Sequence, residues 1–251
     1  MLWRALILTL LSALPLHGEE VVAGLSQARV SINTTFSGSE ILIFGAVKRE
    51  APLPTTDLDV IVTVSSPLAP VTVRKKDRRL GIWVNTDSAQ IDYAPSFYAV
   101  RATKALSEIL APAQDFEYGI SIPRAIRASR AQIVTPQSSE FLQALIRIRS
   151  NEGAYQQAPN SIELTEDTLF RANIALPANL TEGDYKTRIF LLRNNQVIDA
   201  YETTIDVRKV GLERWIYNLA HQQPLLYGLL SLALAIAAGW SASAVFRLFR
   251  G

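Results

Sequence analysis

The apolar residues of this chain are concentrated in one segment at each end. The first segment runs from Ala5 to Leu14, follows a single charge at Arg4 and is broken by Pro15. A bilayer-spanning helix needs about 20 apolar residues, so this shorter run is typical of the hydrophobic region of a signal peptide. We therefore predict a signal peptide over residues 1–18, with the mature chain beginning near Glu19.

The second apolar segment is long enough to cross a membrane. From Leu225 to Phe246 there is no charged residue, and a helix of this length spans about 33 Å. With the proline that precedes it, the segment predicts a single transmembrane helix over 224–246. Arg247 and Arg250 follow at once, and positive residues favour the cytoplasmic side. We expect a short cytoplasmic tail, 247–251, with the body of the protein on the opposite side of the membrane.

Aromatic residues flank the predicted transmembrane helix. Trp215, Tyr217 and Tyr227 lie before or at its beginning, and Trp240 lies towards its end. Tryptophan and tyrosine concentrate where a membrane meets water, so these side chains, with the two arginines, predict the membrane interface. Residues 210–223 alternate apolar and polar positions at helical spacing, which predicts a juxtamembrane amphipathic helix.

Small residues recur on one face of the same helix. Ser231, Ala235, Gly239 and Ser243 are spaced every four residues. Such a face lets another helix approach closely within the membrane. It predicts helix packing against a second transmembrane segment.

The sequence between the two apolar segments predicts mainly short strands. Residues 19–104 and 151–209 contain alternating or continuously apolar runs separated by turn residues, which favours antiparallel, immunoglobulin-like β-sandwich regions. Residues 105–150 predict a mixed helical connector. Its main helix covers Ser139–Ser150, with Phe141 on the apolar face and Arg147 pointing away from it.

Two turns and one tyrosine refine this picture. Asn85–Asp87 has the chemistry of a turn that separates two strands, and Asn194–Asn195 predicts a tight hairpin, because asparagine tolerates positive φ. Tyr185 follows a Gly-Asp turn at the beginning of a strand. It is either the tyrosine corner of an immunoglobulin-like sandwich or a simple core residue.

Composition excludes several kinds of site. The sequence contains no cysteine, and His221 is the only histidine outside the predicted signal peptide. A serine–histidine–aspartate triad, a cysteine–histidine pair and a histidine-rich zinc site therefore lack their components. Without Arg4, Arg247 and Arg250 the 25 basic residues become 22, against 23 acidic ones, so nothing indicates nucleic-acid binding. We expect no catalytic residue, no metal and no cofactor.

Carboxylates are the remaining candidates for catalysis. Asp57 and Asp59 share one strand face, and Glu163, Glu166 and Asp167 surround a turn. Paired carboxylates can hydrolyse glycosides or bind calcium, although proximity of this kind is also expected by chance.

One basic stretch is the most concentrated charge in the chain. It comprises Arg74, Lys75, Lys76, Arg78 and Arg79. A cationic rim of this kind could bind a small anion or an acidic partner. Alternatively, it is the solvated end of a hairpin, where lysine discourages pairing between sheet edges.

Several segments together resemble a known family. The resemblance is carried by Ile43–Ala46, Val73–Lys76, Gly81–Asn85, Pro95–Val100, Phe141–Arg147 and Val210–Glu213. These stretches are similar to the uncharacterised transmembrane proteins of alphaproteobacteria (Alph_Pro_TM type). The resemblance implies a bacterial inner-membrane protein with a periplasmic body and an association with permeases of the sulfite-exporter type. It brings no catalytic residues, and we expect Trp83, on an apolar strand, to be a core residue.

These observations favour a non-catalytic periplasmic accessory protein that binds an integral membrane partner such as a transporter. A module that binds a small anion at the basic stretch is the first alternative. An envelope hydrolase that uses two carboxylates is the second.

Overall fold

The computed structural model describes residues 18–33, 35–50, 52, 54–126 and 136–249, which form a mainly β protein. Its strands are β1 (Glu19–Leu25), β2 (Arg29–Ile32), β3 (Ser39–Arg49), β4 (Asp59–Ser65), β5 (Leu68–Arg79), β6 (Ile82–Pro95), β7 (Tyr98–Ala102), β8 (Tyr155–Ala158), β9 (Ile162–Thr165), β10 (Leu169–Leu176), β11 (Gly183–Arg193) and β12 (Gln196–Lys209). Its helices are α1 (Leu106–Ile109), α2 (Pro112–Tyr118), α3 (Ile122–Ala125), α4 (Pro136–Asn151), α5 (Leu212–Gln222) and α6 (Pro224–Phe249). The predicted signal peptide lies outside the described residues, apart from Gly18.

The strands form two main sheets and a separate two-stranded hairpin. The four-stranded sheet has the order β1-β3-β10-β9, and the six-stranded sheet has the order β2-β12-β11-β4-β7-β8. All pairs in the first sheet are antiparallel, as expected. In the second sheet, β2 pairs with β12 and β8 pairs with β7 in parallel, because each of these short strands reaches the sheet edge through a crossover and not a hairpin.

The two strand regions recognised in the sequence, 19–104 and 151–209, do not form separate sandwiches. In the first sheet β3 pairs with β10, and in the second sheet β4 pairs with β11. Each sheet therefore mixes strands from both regions, and both regions contribute to each of the two apolar cores. Helices α1 to α4 contribute side chains that pack on the outside of the six-stranded sheet.

Two apolar cores explain why the central strands read as nearly continuous apolar runs. Side chains from both sheets, such as Val62 on β4 and Ile174 on β10, fill the space between them. The other face of the six-stranded sheet carries Ile61 and Phe190, which pack with helical residues such as Leu145. A strand that is covered on both faces has no solvent-facing polar positions. On β4, Val60, Val62 and Val64 face the first core and Ile61 faces the second, so both faces of the strand are buried.

Tyr185 is fully buried, and its Oη donates a hydrogen bond to the carbonyl oxygen of Thr181 at 2.8 Å. This bond to backbone four residues upstream is one feature of a tyrosine corner, and the full burial of Tyr185 also makes it a core residue. Asn194 and Asn195 both adopt positive φ in the turn between β11 and β12, which confirms the predicted hairpin.

The hairpin β5–β6 is longer than the sequence suggests. The predicted turn at Asn85–Asp87 is wrong: the chain continues through it, and the pairing with β5 only shifts register there. Such a shift is a β-bulge, which uses the same polar residues as a turn. The actual turn is at Leu80 and Gly81, which both adopt positive φ.

The carboxyl-terminal part of the described chain is helical. α5 is the predicted amphipathic segment, and α6 contains a window, Pro224–Ser243, that is long and apolar enough to cross a membrane. None of that window is buried by the rest of the described chain. Gln223 separates the two helices.

Candidate functional site

The basic stretch is divided between two places in the structure. Arg74, Lys75 and Lys76 line a cleft of about 580 Å³ between β5 and α4. Arg78 and Arg79 lie farther along the strand, next to the turn of the hairpin, and are exposed. The five predicted residues therefore do not form one site.

The cleft combines an apolar floor with a positive rim. Val73 and Phe141 are buried and belong to the second core. Lys75 lies on the same strand face as Val73, and its Nζ is 3.8 Å from Oε2 of Glu140 on α4. Arg147 adds a fourth cation from the helix. Four cations and one carboxylate line the cleft, so its rim carries a net positive charge.

Sequence analysis did not place Arg147 in the site. Its position opposite the apolar face of α4 was predicted correctly, but that face was expected to meet solvent. In the structure β5 runs alongside it. Glu140, Gln143 and Arg147 are spaced three and four residues apart, which puts them in one polar stripe. That stripe is the only signal in the sequence that could have linked Arg147 to the basic strand.

The turn of the hairpin carries a second group of exposed residues, which we call the hairpin tip: Leu80, Ile82 and Trp83. Their exposed fractions are 104%, 64% and 68%. The prediction that Trp83 is a core residue is wrong, because this part of the hairpin extends beyond the sheet that would cover it. In the ladder, Trp83 lies opposite Arg78, and Ile82 lies opposite Arg79. Large apolar side chains are therefore set directly beside cations.

The first candidate carboxylate pair takes part in a local ion-pair network. Nζ of Lys104 is 3.4 Å from Oδ2 of Asp57 and 3.3 Å from Oδ1 of Asp59. Thr103 also donates a hydrogen bond to Asp59 at 2.8 Å. Desolvation lowers the pKa of Lys104, but the charge of Asp59 and the hydrogen bonds to both carboxylates outweigh it and raise that pKa. Both carboxylates are thus engaged by a cation of the same chain, as in a structural ion-pair network.

The other carboxylates lie on the surface. Glu163 forms an ion pair with Arg171 at 2.5 Å, with both side chains exposed. Glu166 is exposed in a turn with positive φ. Within the described residues no three histidine or acidic side chains lie close enough together to hold a metal ion.

The residues of α6 that were predicted to pack against another helix lie on the surface of the described chain. Ser231, Ala235, Gly239 and Ser243 are all exposed on α6. The hydroxyl of Ser231 donates to the carbonyl oxygen of Tyr227 one turn earlier at 2.9 Å, so the face needs no polar partner at that point. A Cβ added at Gly239 would meet nothing within 4 Å. The described body of the chain therefore leaves this face uncovered.

The predicted interface aromatics are also exposed. The structure leaves all four of them uncovered: Trp215, Tyr217, Tyr227 and Trp240. The ring of Tyr217 stacks on His221, with 4.1 Å between ring centroids, and Nδ1 of His221 is 2.9 Å from the carbonyl oxygen of Tyr217. The histidine thus has a local structural role at the end of α5. Arg247 lies within α6, and Arg250 lies outside the described residues.

Two crystal structures are similar to this chain at low identity. Spo0M, a sporulation control protein from Bacillus subtilis, matches at 11% identity with a TM-score of 0.28, over 83% of this chain and 56% of that one. BslA, a bacterial hydrophobin, matches at 11% identity with a TM-score of 0.22, over 78% of this chain and 99% of that one. This chain thus spans little more than half of Spo0M.

No curated protein matches the sequence. A family model described as "Putative transmembrane protein (Alph_Pro_TM)" matches residues 20–248, almost the whole described chain. It agrees with the exposed apolar helix α6 and with the resemblance noted in the sequence. The chain belongs to this transmembrane protein family.

Proposed function

We propose that this protein is a non-catalytic accessory protein of the bacterial inner membrane. Its β-body, which comprises the strands β1–β12 and the helices α1–α4, lies in the periplasm, and α6 packs against an integral membrane partner. A transporter, such as a permease of the sulfite-exporter type, is the kind of partner we expect. The small-residue face of α6 carries the proposal, because it lies uncovered and presents a small residue at every fourth position from Ser231 to Ser243. In lipid, close contact between small residues is a main source of helix association.

The burial of the strands and the ion pairs of the candidate carboxylates in the β-body support this role. Both faces of the central strands β4 and β11 are largely buried within the described chain, so the body has cores of its own and an anchor helix can hold it at the membrane. Three of its candidate carboxylates, Asp57, Asp59 and Glu163, form ion pairs with cations of the same chain. These contacts favour a structural role for them.

A matched pair of substitutions on α6 tests the proposal. Ala235→Leu places a large side chain on the small-residue face, and Ala237→Leu makes the identical change about 200° around the helix. The full chain carrying either change is extracted from native membranes with a mild detergent, and the proteins that co-purify are identified by mass spectrometry. We expect Ala235→Leu to lose a membrane protein that wild type and Ala237→Leu retain. Equal recovery from all three chains would contradict packing through this face.

Binding of a small anion is a second candidate function, favoured by the cleft between β5 and α4. Four cations line it against one carboxylate, and its apolar floor fixes its shape. Sulfate and phosphate are suitable probes, measured by calorimetry on the purified full chain. Arg147→Gln is expected to weaken binding, while Arg149→Gln, on the same helix but paired with Glu152, is expected to leave it unchanged. Equal affinities of the two variants would exclude the cleft.

A further inference from the structure

The hairpin β5–β6 projects away from the body. Val73 is the last buried residue on β5 before the turn, and every residue from Arg74 to Arg79 is exposed. Arg74 to Lys76 line the cleft against α4, and at about 3.4 Å per residue the part of β5 beyond Lys76 extends a further ~10 Å. Within the described residues, the two strands of the hairpin pair only with each other.

Turn chemistry does not explain the apolar tip. A two-residue turn with positive φ at both positions favours asparagine, aspartate and glycine. Gly81 fits this rule, but Leu80 adopts φ +51 with its side chain fully exposed. A leucine in the left-handed region is strained and gains nothing by burial within this chain. A surface outside the chain would bury it.

The cations near the tip form a collar at a defined distance from Leu80. Arg79 and Arg78 are one and two residues from Leu80, respectively, and Lys76 is four residues away, so their backbone lies about 3 to 14 Å from the apex. Asp77 is the single carboxylate in this stretch, and its Oδ2 is 4.0 Å from Nε of Arg79. Amphipathic elements that bind membranes bury their apolar side about 5–10 Å deep and hold basic residues at the level of the lipid headgroups. The hairpin matches this spacing.

A lipid surface suits the tip better than a protein does. A stable protein interface covers about 800 Å² on each partner, and three side chains at the end of a two-stranded ribbon present far less. A bilayer needs no matching pocket, and tryptophan is favoured at its interface. Weak insertion also suffices, because α6 holds the body next to a bilayer and so raises the effective concentration of the tip.

We propose that the hairpin tip inserts into the interface of the bilayer that carries α6, where Lys76, Arg78 and Arg79 bind anionic lipid headgroups. The protein then holds its membrane at two points, and the hairpin fixes the orientation of the β-body and of the neighbouring cleft. This contact requires no protein partner. It is therefore independent of the function proposed above.

Site-directed spin labelling tests the contact, since the chain contains no cysteine. Ile82→Cys places a label at the tip, and Ser88→Cys places a control label on the same strand at an exposed position nearer the body. The purified full chain is reconstituted into vesicles of phosphatidylcholine with about one third phosphatidylglycerol, an anionic lipid. Accessibility to oxygen and to a water-soluble nickel chelate then reports the depth of each label.

We expect the label at position 82 to be accessible to oxygen and protected from nickel, and the label at position 88 to be accessible to nickel. Reversing both charges (Arg78→Glu, Arg79→Glu) is expected to lower the inserted fraction at least about tenfold, since each basic residue contributes to headgroup attraction. A melting temperature equal to that of wild type would show that the exposed hairpin still folds.

Three results would overturn the proposal. Equal nickel accessibility at positions 82 and 88 in anionic vesicles would show that the tip stays in water. Dipolar broadening between labels at position 82 would assign the tip to a second copy of this chain. Protection in native membranes but not in vesicles of the purified chain would assign it to a protein partner.

Discussion

Glu19 is the centre of a buried ion-pair cluster that joins three strands. Its carboxylate accepts hydrogen bonds from Nε of Arg49 on β3 at 2.6 Å and from Nε and Nη2 of Arg193 on β11 at 2.6 and 2.8 Å. The side chains of Glu19, Arg49 and Arg193 are 6%, 11% and 8% exposed. Arg193 also donates to the carbonyl oxygen of Thr56. We predict that Glu19→Gln strongly destabilises the β-body.

The expected loss of folding stability in Glu19→Gln follows from the burial of the guanidinium groups of Arg49 and Arg193. Gln keeps the shape of Glu19 and one acceptor oxygen, but it leaves two buried cations without a counter-charge. Removing one partner of a buried ion pair costs about 3–5 kcal/mol. Glu20→Gln is the matched control, because Glu20 pairs with Lys48 at 3.6 Å and both of these side chains are more than half exposed. An exposed pair contributes about 0–1 kcal/mol.

The effect also depends on pH. Hydrogen bonds from Arg193 lower the pKa of Glu19, burial opposes them, and the bond from Arg49 and the charges of both arginines add to the lowering. A carboxyl group whose folded pKa is depressed stabilises the fold fully above its unfolded pKa, about 4.3 for glutamate. That contribution is lost as pH falls through the folded pKa. The stability difference between wild type and Glu19→Gln is therefore constant near pH 7 and shrinks below about pH 4.

Urea unfolding of the full chain in detergent micelles measures the difference in stability between wild type and each variant. The unfolding is monitored by the circular dichroism of the strands. Urea is uncharged and does not screen ion pairs. With a slope of about 2 kcal/mol per molar, the midpoint of Glu19→Gln should fall by about 2 M, and that of Glu20→Gln by less than about 0.5 M. Equal midpoints for the two variants at pH 7 would refute the reasoning, as would a difference that persists unchanged at pH 3.

Three further predictions follow from other contacts. Tyr185→Phe removes the hydrogen bond to Thr181 and should lower the melting temperature by about 3–6 °C; a change below 1 °C, within about the error of calorimetry, would show that the bond contributes nothing. Gly45→Ala would place a Cβ 2.5 Å from the ring of Phe170, so urea unfolding should show a loss of stability of about 1–3 kcal/mol. Wild-type stability of this variant would mean that β3 and β10 can separate at this point. A cysteine at Ser88 should react with an impermeant maleimide added to intact spheroplasts, and reaction only after lysis would place the β-body in the cytoplasm.

Elements of the fold were predictable from the sequence where residues close together in the chain determine the structure. The alternation of Val60, Val62 and Val64 on β4 and the asparagine turn before β12 depend on neighbours in sequence. The apolar length of α6 likewise needs no tertiary information. These features were predicted correctly.

Features that depend on distant partners were not predictable in the same way. Trp83 sits in an apolar run typical of a buried strand, but its exposure depends on where the six-stranded sheet ends. Arg147 joins the basic cleft only because β5 runs beside α4. Glu19 lies at the predicted beginning of the mature chain, where residues are usually poorly ordered, and only the pairing of β1 with β3 brings it to Arg49 and Arg193.

Site-specific photo-crosslinking within native membranes tests the central claim, that α6 packs against an integral membrane partner. A photoreactive amino acid replaces Ala235 in one chain and Ala237 in another, and adducts are separated and identified after irradiation. We predict one discrete protein adduct from position 235 and none from position 237. Adducts with lipid alone from both positions would contradict the claim and leave α6 as a simple anchor.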